Sequence, residues 1–345
     1  MSKSTNLQLG VFCAIGASLC FSLNDVVIKF LSGDYALHQV VLTRSIIGLV
    51  FTLAILIPLE GGVKNLKTKR PLLHILRGLC VVMANMLFFL GLASMPIAEA
   101  TAIFFIAPLA ITAFAVFFLG EKVGIRRWVA VLLGLVGVLI MLRPGSESLK
   151  LIALLPAGAA IFYALLHTLT RKIGLSETAS TMSLYIQLTF VFVSASIGLA
   201  VGDGRYYGTG NPSLDFIFRQ WIFPNTFDLS IMCTIGITSS LGGYLISQAY
   251  RVAEANKIAP FEYINMPLAV VWGVLIWGHW PDTPAWVGIL LIFGTGLLGD
   301  HNELRVRDMD DSLMDGNVRM KMVYNAGVQY YNSAEIVYYV GNVQP

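Results

Sequence analysis

The chain has 345 residues, of which 56% are hydrophobic and only 12% charged, with a net charge of +3 and a mean hydropathy of +0.73. Soluble globular domains carry about 45–50% apolar and about 25% charged residues, so a water-soluble fold is excluded. The basic residues fall mostly between apolar runs, where they mark membrane topology and imply no nucleic-acid partner.

In chain order, apolar windows predict helices over 9–31, 38–58, 71–92, 97–118 and 125–142, each near the ~20 residues that a helix needs to cross a bilayer core. Five more are predicted over 149–171, 180–201, 228–250, 257–277 and 283–299. The first window runs through Asn24, Asp25 and Lys29 without a small-residue cleavage site, so a retained helix is expected, not a signal peptide. Residues 71–118 form an almost continuous run divided only at Ser94-Met95-Pro96. The fold class expected is therefore an all-α polytopic membrane protein with ten transmembrane helices.

Lysines and arginines near span ends resist translocation, and they concentrate on one side if the amino terminus is inside. Lys64, Lys67, Arg70 and Arg77, then Lys122, Arg126 and Arg127, then Arg171 and Lys172 all fall there. Both termini are accordingly expected in the cytoplasm. Cys13, Cys20, Cys80 and Cys233 all lie inside apolar spans with no metal-ligand spacing, so no metal and no cofactor is expected. The segment 202–228 carries Phe216, Ile217, Phe218, Trp221, Ile222 and Phe223 beside Arg219 and Gln220, a pattern that suits either a helix lying in the headgroup region or a plain loop. The tail 300–345 has no sustained apolar period and reads as a cytoplasmic appendage.

The two halves of the chain repeat one another. Ala100, Pro108-Leu109, Gly120 and Trp128 are matched by Ala259, Pro267-Leu268, Gly278 and Trp286, at an offset of 159 and then 158 residues. Earlier, Gly16-Ala17 and Cys20-Phe21-Ser22-Leu23 align with Gly158-Ala159 and Phe162-Tyr163-Ala164-Leu165 at an offset of 142. A five-helix unit duplicated in tandem must enter the membrane from opposite sides, which predicts two inverted-topology repeats with a binding site near the midplane where they meet. The expected organisation is residues 1–145 as the first repeat, 146–299 as the second and 300–345 as the tail.

These residues resemble a known family. Ala98-Glu99-Ala100, Ala107-Pro108-Leu109, Leu119-Gly120-Glu121-Lys122 and Gly134-Leu135-Val136-Gly137-Val138 resemble the closing half of an EamA repeat of the drug/metabolite transporter superfamily. The second copy is similar through Ala259-Pro260-Phe261-Glu262-Tyr263, Pro267-Leu268, Trp280-Pro281-Asp282 and Gly294-Thr295-Gly296, and Arg44 resembles that family's recurrent arginine. His279 departs from the pattern, standing where the second repeat usually carries the counterpart of Glu121. Asn24-Asp25-Val26-Val27-Ile28-Lys29 and the run Arg70 to Gly78 resemble the branch holding S-adenosylmethionine uptake carriers. The resemblance implies a secondary active transporter that moves a small organic metabolite by alternating access, such as S-adenosylmethionine, an amino acid or a related polar or amphipathic compound. It implies a bacterial inner membrane as its location. The alternative is an exporter of hydrophobic compounds or drugs, with an intramembrane enzyme or a channel more remote. No Walker sequence, HExxH or nucleophile elbow is present, so neither ATP as the driving force nor catalysis is expected. The partners expected are a small-molecule substrate and membrane lipid, with the chain as monomer or homodimer.

An ionisable group in hydrocarbon is a functional candidate by default. Glu262, with Tyr263 and Asn265 beside it, is the leading candidate for substrate contact, and Pro260 and Pro267 bracket this stretch. Arg44 offers a planar fork suited to a carboxylate or phosphate, or a structural partner for Asp25. Asn85, Tyr163, Gln187, Tyr244 and Gln248 are the uncharged candidates, equally able to act as interhelical glue. Asp25 and His167, which align across the repeat, are candidates for proton coupling. Asp25 has Lys29 one turn along the same face, an arrangement that suits a local ion pair. Glu99 and Glu121 lie at span ends and read as cap or loop residues.

Overall fold

The structure is a computed structural model that describes residues 3–62, 68, 70–121, 123–142, 151–291, 294, 320–324 and 327–331. It divides into two compact units, Met1–Gly296 and Leu297–Pro345. Every regular element among the described residues of the first unit is a helix. Its helices are α1 (Lys3–Leu31), α2 (Leu37–Phe51), α3 (Pro71–Ser94), α4 (Ile97–Phe104), α5 (Ile106–Leu119), α6 (Ile125–Leu142) and α7 (Leu154–Ile173). There follow α8 (Ala179–Val201), the short α9 (Pro212–Phe218), α10 (Thr226–Val252), the single turn α11 (Ala255–Ile258), α12 (Asn265–Trp277) and α13 (283–291). The second unit contains an antiparallel pair, β1 (Met320–Tyr324) and β2 (Gly327–Tyr331), in which Met320 faces Tyr331 and Tyr324 faces Gly327. Those strands add to the all-helical expectation. The rest of the tail, and the predicted basic cluster at Lys64 and Lys67, lie outside the described residues.

Among the described residues, six helical stretches are long and apolar enough to cross a membrane: Asn6–Leu31, Leu37–Leu59, Pro71–Ser94, Ile97–Leu119, Ala179–Val201 and Thr226–Val252. The protein is therefore an integral membrane protein. The expected count was ten. Helix α7 is diluted by Pro156, His167 and Arg171, and α12 is only 13 residues long because a 3-10 segment, Ala259–Ile264, replaces the helical turns before it.

Both halves break a helix at the same place, and local chemistry explains the break. Proline lacks an N–H and is tolerated in the first helical turn, whereas deeper in a helix it clashes with the preceding turn. Pro108 is the third residue of α5 and Pro267 the third residue of α12. Each therefore starts a new helix, after the kink at Phe105 in one half and after the 3-10 segment in the other. The two new helices also end alike. Gly120 and Gly278 adopt left-handed conformations with φ 67° and 66°, open to glycine without the Cβ penalty. In each case the glycine N–H and the next residue's N–H turn back to the helix: Gly120 and Glu121 to Val116 and Ala115, Gly278 and His279 to Val274 and Gly273.

Packing follows the apolar faces. One core gathers Val26, Ile28 and Leu31 of α1 with Val40 and Val41 of α2, Phe88, Phe89 and Leu92 of α3, and Phe190 of α8. A second joins Ala14 and Ala17 of α1 to Ile111 and Ala115 of α5 and to Ile246, Ala249 and Tyr250 of α10.

The bundle is tied at each end. At the end bearing the α1–α2 turn, the segment 202–225 forms a strap. Ser213 donates to the Leu90 carbonyl at 2.6 Å, Arg219 to the Ser32 carbonyl at 2.7 Å, and the Trp221 indole to His38 Nδ1 at 2.6 Å. Phe216 is buried in the first core, while Leu214 of α9 and Ile222 and Phe223 beyond it are exposed. The Trp221 ring fits only because residue 198 is glycine, where a Cβ would stand 2.1 Å from a ring carbon. Within the strap, Asp215 accepts from the Thr209 hydroxyl and amide, both at 2.8 Å, and from the Gly208 amide at 3.2 Å. The Thr209 hydroxyl does most to hold this carboxyl below the usual aspartate range. At the opposite end, Glu121 accepts from the first N–H of α11 at 3.2 Å and pairs with Arg171 at 3.6 Å, so this residue caps a helix of the other half.

Candidate functional site

The helix breaks open onto a cavity inside the bundle. Its walls come from α1, α2, α3, the α4–α5 kink, α7, α8, α10, the 3-10 segment and the start of α12. Among the described residues, two carboxylic side chains, Asp25 and Glu262, and two guanidinium groups, Arg44 and Arg77, line it. Phe21, Phe88, Phe89, Phe104, Phe105 and Phe190 form the aromatic part of its apolar wall. A concave pocket in which aromatic walls meet converging polar groups is the usual form of a small-molecule site.

The charged groups are held mainly by neutral dipoles. The Tyr163 hydroxyl of α7 donates to Glu262 Oε2 at 2.6 Å, and the Tyr250 hydroxyl of α10 donates to Oε1. The His167 ring lies between those tyrosines, stacked on Tyr250 at 4.0 Å and edge-on to Tyr163 at 4.2 Å. Among the described residues neither of its ring nitrogens has a hydrogen-bond partner. Arg44 donates to Asn85 Oδ1 at 2.8 Å and to Asn24 Oδ1 at 3.4 Å. Its guanidinium lies 5.0 Å from the centre of the Phe190 ring and 5.4 Å from that of Phe89. Asp25 interacts with Arg44 through space, and the Asn265 side chain hydrogen-bonds it.

Of the residues singled out in the sequence, Asp25, Arg44, Asn85, Tyr163, Gln187, Glu262 and Asn265 all line this cavity. His167 stands behind the wall. Tyr244 and Gln248 do not line it; the Tyr244 hydroxyl reaches Glu60 at 3.3 Å instead. The side chain of Tyr263 lies outside the described residues. The Asp25–Lys29 ion pair suggested by their spacing is not what the structure contains. The Lys29 ammonium donates to the carbonyls of Leu92 and Met95 at 2.9 and 2.8 Å, satisfying the end of α3, and lies 5.6 Å from the centre of the Trp277 ring. Glu99 is exposed in the first turn of α4, where a negative charge suits the helix dipole.

Three lining or supporting residues were not singled out: Asn24, Tyr250 and Arg77. Asn24 bridges α1, α2 and α10, since its amide donates to Thr238 at 3.2 Å while its carbonyl accepts from Arg44. Arg77 was read as a topology marker at a span end, but it is only 1% exposed and its guanidinium lies within the bundle. No group of three or more His, Cys, Asp or Glu arranged to hold a metal occurs among the described residues.

Comparison with known proteins places this architecture. Residues 8–143 match the EamA-like transporter family. The chain is 30% identical to the riboflavin transporter of Vibrio cholerae over 287 residues, covering 82% of this chain and 90% of that protein. It is 28% identical to the S-adenosylmethionine uptake transporter of Rickettsia conorii over 284 residues, covering 82% and 89%. More distantly, it is 24% identical to the pseudopaline exporter of Pseudomonas aeruginosa, with 83% and 94% covered. A crystal structure 17% identical in sequence superposes with a TM-score of 0.63, covering 88% of this chain and 99% of the other, which shows a shared fold. The long transmembrane helices, the mid-bundle cavity and these relatives agree, and the chain belongs to the EamA-like transporter family.

Proposed function

We propose that the chain is a secondary carrier for a small polar organic metabolite, with S-adenosylmethionine as the favoured cargo, working by alternating access in a bacterial inner membrane. The observation that carries this reading is the cavity itself, where two guanidinium groups, two carboxylates and a wall of phenylalanines meet beside two broken helices. Broken helices beside a midplane site are how secondary transporters expose backbone and side-chain groups to cargo. S-adenosylmethionine offers a carboxylate, two cationic centres and an aromatic base, which such walls complement. The relatives named S-adenosylmethionine uptake transporters support the same cargo.

The ten-span arrangement of two inverted five-helix repeats is part of the proposal. It is supported by the shared proline-initiated helices and the matching glycine-terminated ends at an offset of 158 residues. Both termini are then cytoplasmic, in keeping with the distribution of lysine and arginine. Glu262, Asn265, Arg44, Asn85, Tyr163 and Gln187 are assigned to the cargo, and Asp25 to proton coupling or to a cationic centre of the cargo.

Riboflavin is the second reading, favoured by the 30% identity to a riboflavin transporter. Purified protein in liposomes separates the two. Saturable uptake of labelled S-adenosylmethionine, accelerated by unlabelled S-adenosylmethionine inside, is the expected result. Counterflow of riboflavin alone would replace the cargo, and non-saturable flux of either would refute a carrier.

A further inference from the structure

Arg77 is the largest fully buried side chain among the described residues. It lies in α3, six residues after Pro71, where its guanidinium is tied to three other helices. Nε donates to the Thr170 hydroxyl of α7 at 2.6 Å, one terminal nitrogen to the Met182 carbonyl of α8 at 2.9 Å, and the other to the Ser247 hydroxyl of α10 at 2.6 Å. All three acceptors are neutral. Among the described residues no carboxylate lies within ion-pair distance of it, and its charged or titratable neighbours include His74 and His167, which bring no negative charge. Arg44 differs, for its charge faces Asp25 and is flanked by two phenylalanine rings.

A guanidinium has five N–H donors, and three of Arg77's are used, so one remains on each terminal nitrogen. The group lines the cavity. A buried cation without a counter-charge is costly even when hydrogen-bonded to neutral groups, and a planar pair of donors matches a carboxylate. The cationic side of a zwitterion has a place nearby. Ser247, which holds Arg77, and Tyr250, which holds Glu262, are three residues apart on α10, hence neighbours on one face of the helix. Thr170 and Tyr163 repeat this relation two turns apart on α7. Two helices thus each hold both the Arg77 guanidinium, which has no counter-charge, and the Glu262 carboxylate, along one wall.

We propose that Arg77 is the subsite for a carboxylate of the cargo and that, with Glu262 receiving the adjacent cation, it restricts the cargo to organic zwitterions with an amino-acid head. This rests on the carrier reading above and narrows it to a residue and a chemical group. Riboflavin, which has no carboxylate, is then excluded.

The test uses full-length protein in liposomes and pairs of compounds that differ only in the carboxylate: S-adenosylmethionine with its decarboxylated form, and tryptophan with tryptamine. Riboflavin is the carboxylate-free control. The wild type is expected to prefer the carboxylated member of a transported pair by at least about tenfold. Arg77→Gln should take up both members equally, while Arg77→Lys, which keeps the charge but not the fork, should retain part of the preference. Should Arg77→Gln not fold, the wild-type comparison decides alone, since equal uptake of the twins overturns the proposal. Transport of riboflavin and of no carboxylated compound overturns it too. If tryptophan is preferred over tryptamine while S-adenosylmethionine is not moved, the cargo named above is wrong and the role of Arg77 stands.

Discussion

Replacing Glu262 by glutamine separates the fold from the transport function. The side chain keeps its shape, so the space between Tyr163 and Tyr250 stays filled. Two phenol-to-carboxylate bonds become neutral ones, and hydrogen bonds to charged groups are worth about 1.5–3 kcal/mol against about 0.5–1.5 for neutral pairs. The loss is therefore about 1–1.5 kcal/mol for each bond. Removing a buried charge, with its desolvation cost, offsets part of that loss. The folded protein should lose no more than about 2 kcal/mol, a change read as a modest fall in thermal midpoint in detergent. Transport should suffer far more. Removing one partner of a desolvated charge pair costs about 2–5 kcal/mol, and about 2 kcal/mol is already a factor of about 30 in affinity. Uptake kinetics in liposomes should then show KM raised by at least about 30-fold, with monodisperse protein by size-exclusion chromatography. A folded Glu262→Gln protein whose KM stays within about threefold of wild type would remove the carboxylate from cargo binding.

Other outcomes follow from the same geometry. In Gly198→Ala the new Cβ would meet the Trp221 ring, and overpacking of this kind costs about 1–3 kcal/mol. Faster proteolysis of the 202–225 strap should result, whereas Gly33→Ala, with no atom within 4 Å of the added carbon, should behave as wild type. Arg44→Lys loses the fork shared by Asn24 and Asn85. A thermal-stability cycle with Asn85→Ala should show the two changes to be non-additive by about 0.5–3 kcal/mol, and additivity would deny the link. Tyr244→Phe should leave cargo KM within about twofold, because its hydroxyl points to Glu60 and away from the cavity; a larger shift measured by uptake would bring Tyr244 back into the site. Asp215 is held below the ordinary aspartate range, so its contribution to strap order is present above the unfolded aspartate value and lost as pH falls through the lowered one. Hydrogen exchange at Gly208 and Thr209 should stay slow relative to Asp215→Asn at neutral pH.

Much of the fold is legible in the sequence because membrane helices announce themselves through apolar length. The break at Ser94-Met95-Pro96 is where α3 ends and α4 begins, and the paired prolines at 108 and 267 do start new helices. The candidate site is legible where an ionisable residue interrupts an apolar run, as at Asp25, Arg44 and Glu262. Long basic side chains defeat that logic. Arg77 lies close enough to a predicted span end to snorkel toward water, and only the positions of Thr170, Met182 and Ser247, far away in sequence, show that it turns inward. Lys29 is the converse, for i to i+4 spacing suggests Asp25 as its partner. The carbonyls that α3 leaves unsatisfied at its end take the ammonium instead. Tyr250 carries no local mark, being one of 13 tyrosines in the chain whose importance arises from what it faces.

The repeated positions also show what duplication alone does not supply. At the offsets that align the halves, Glu262 is matched by Ile103, Asp25 by His167, Arg44 by Gln187 and Tyr163 by Phe21. The helix breaks are shared but the charged chemistry is not. A symmetric cavity would present each charge twice, and like charges facing one another across a dry space repel strongly. Divergence leaves two guanidinium groups and two carboxylates among the ionisable side chains of the wall, for a formal sum of zero. Such a cavity favours a molecule that carries both charges. The breaks common to the two halves provide the opening, and the residues that differ between them determine what fits it.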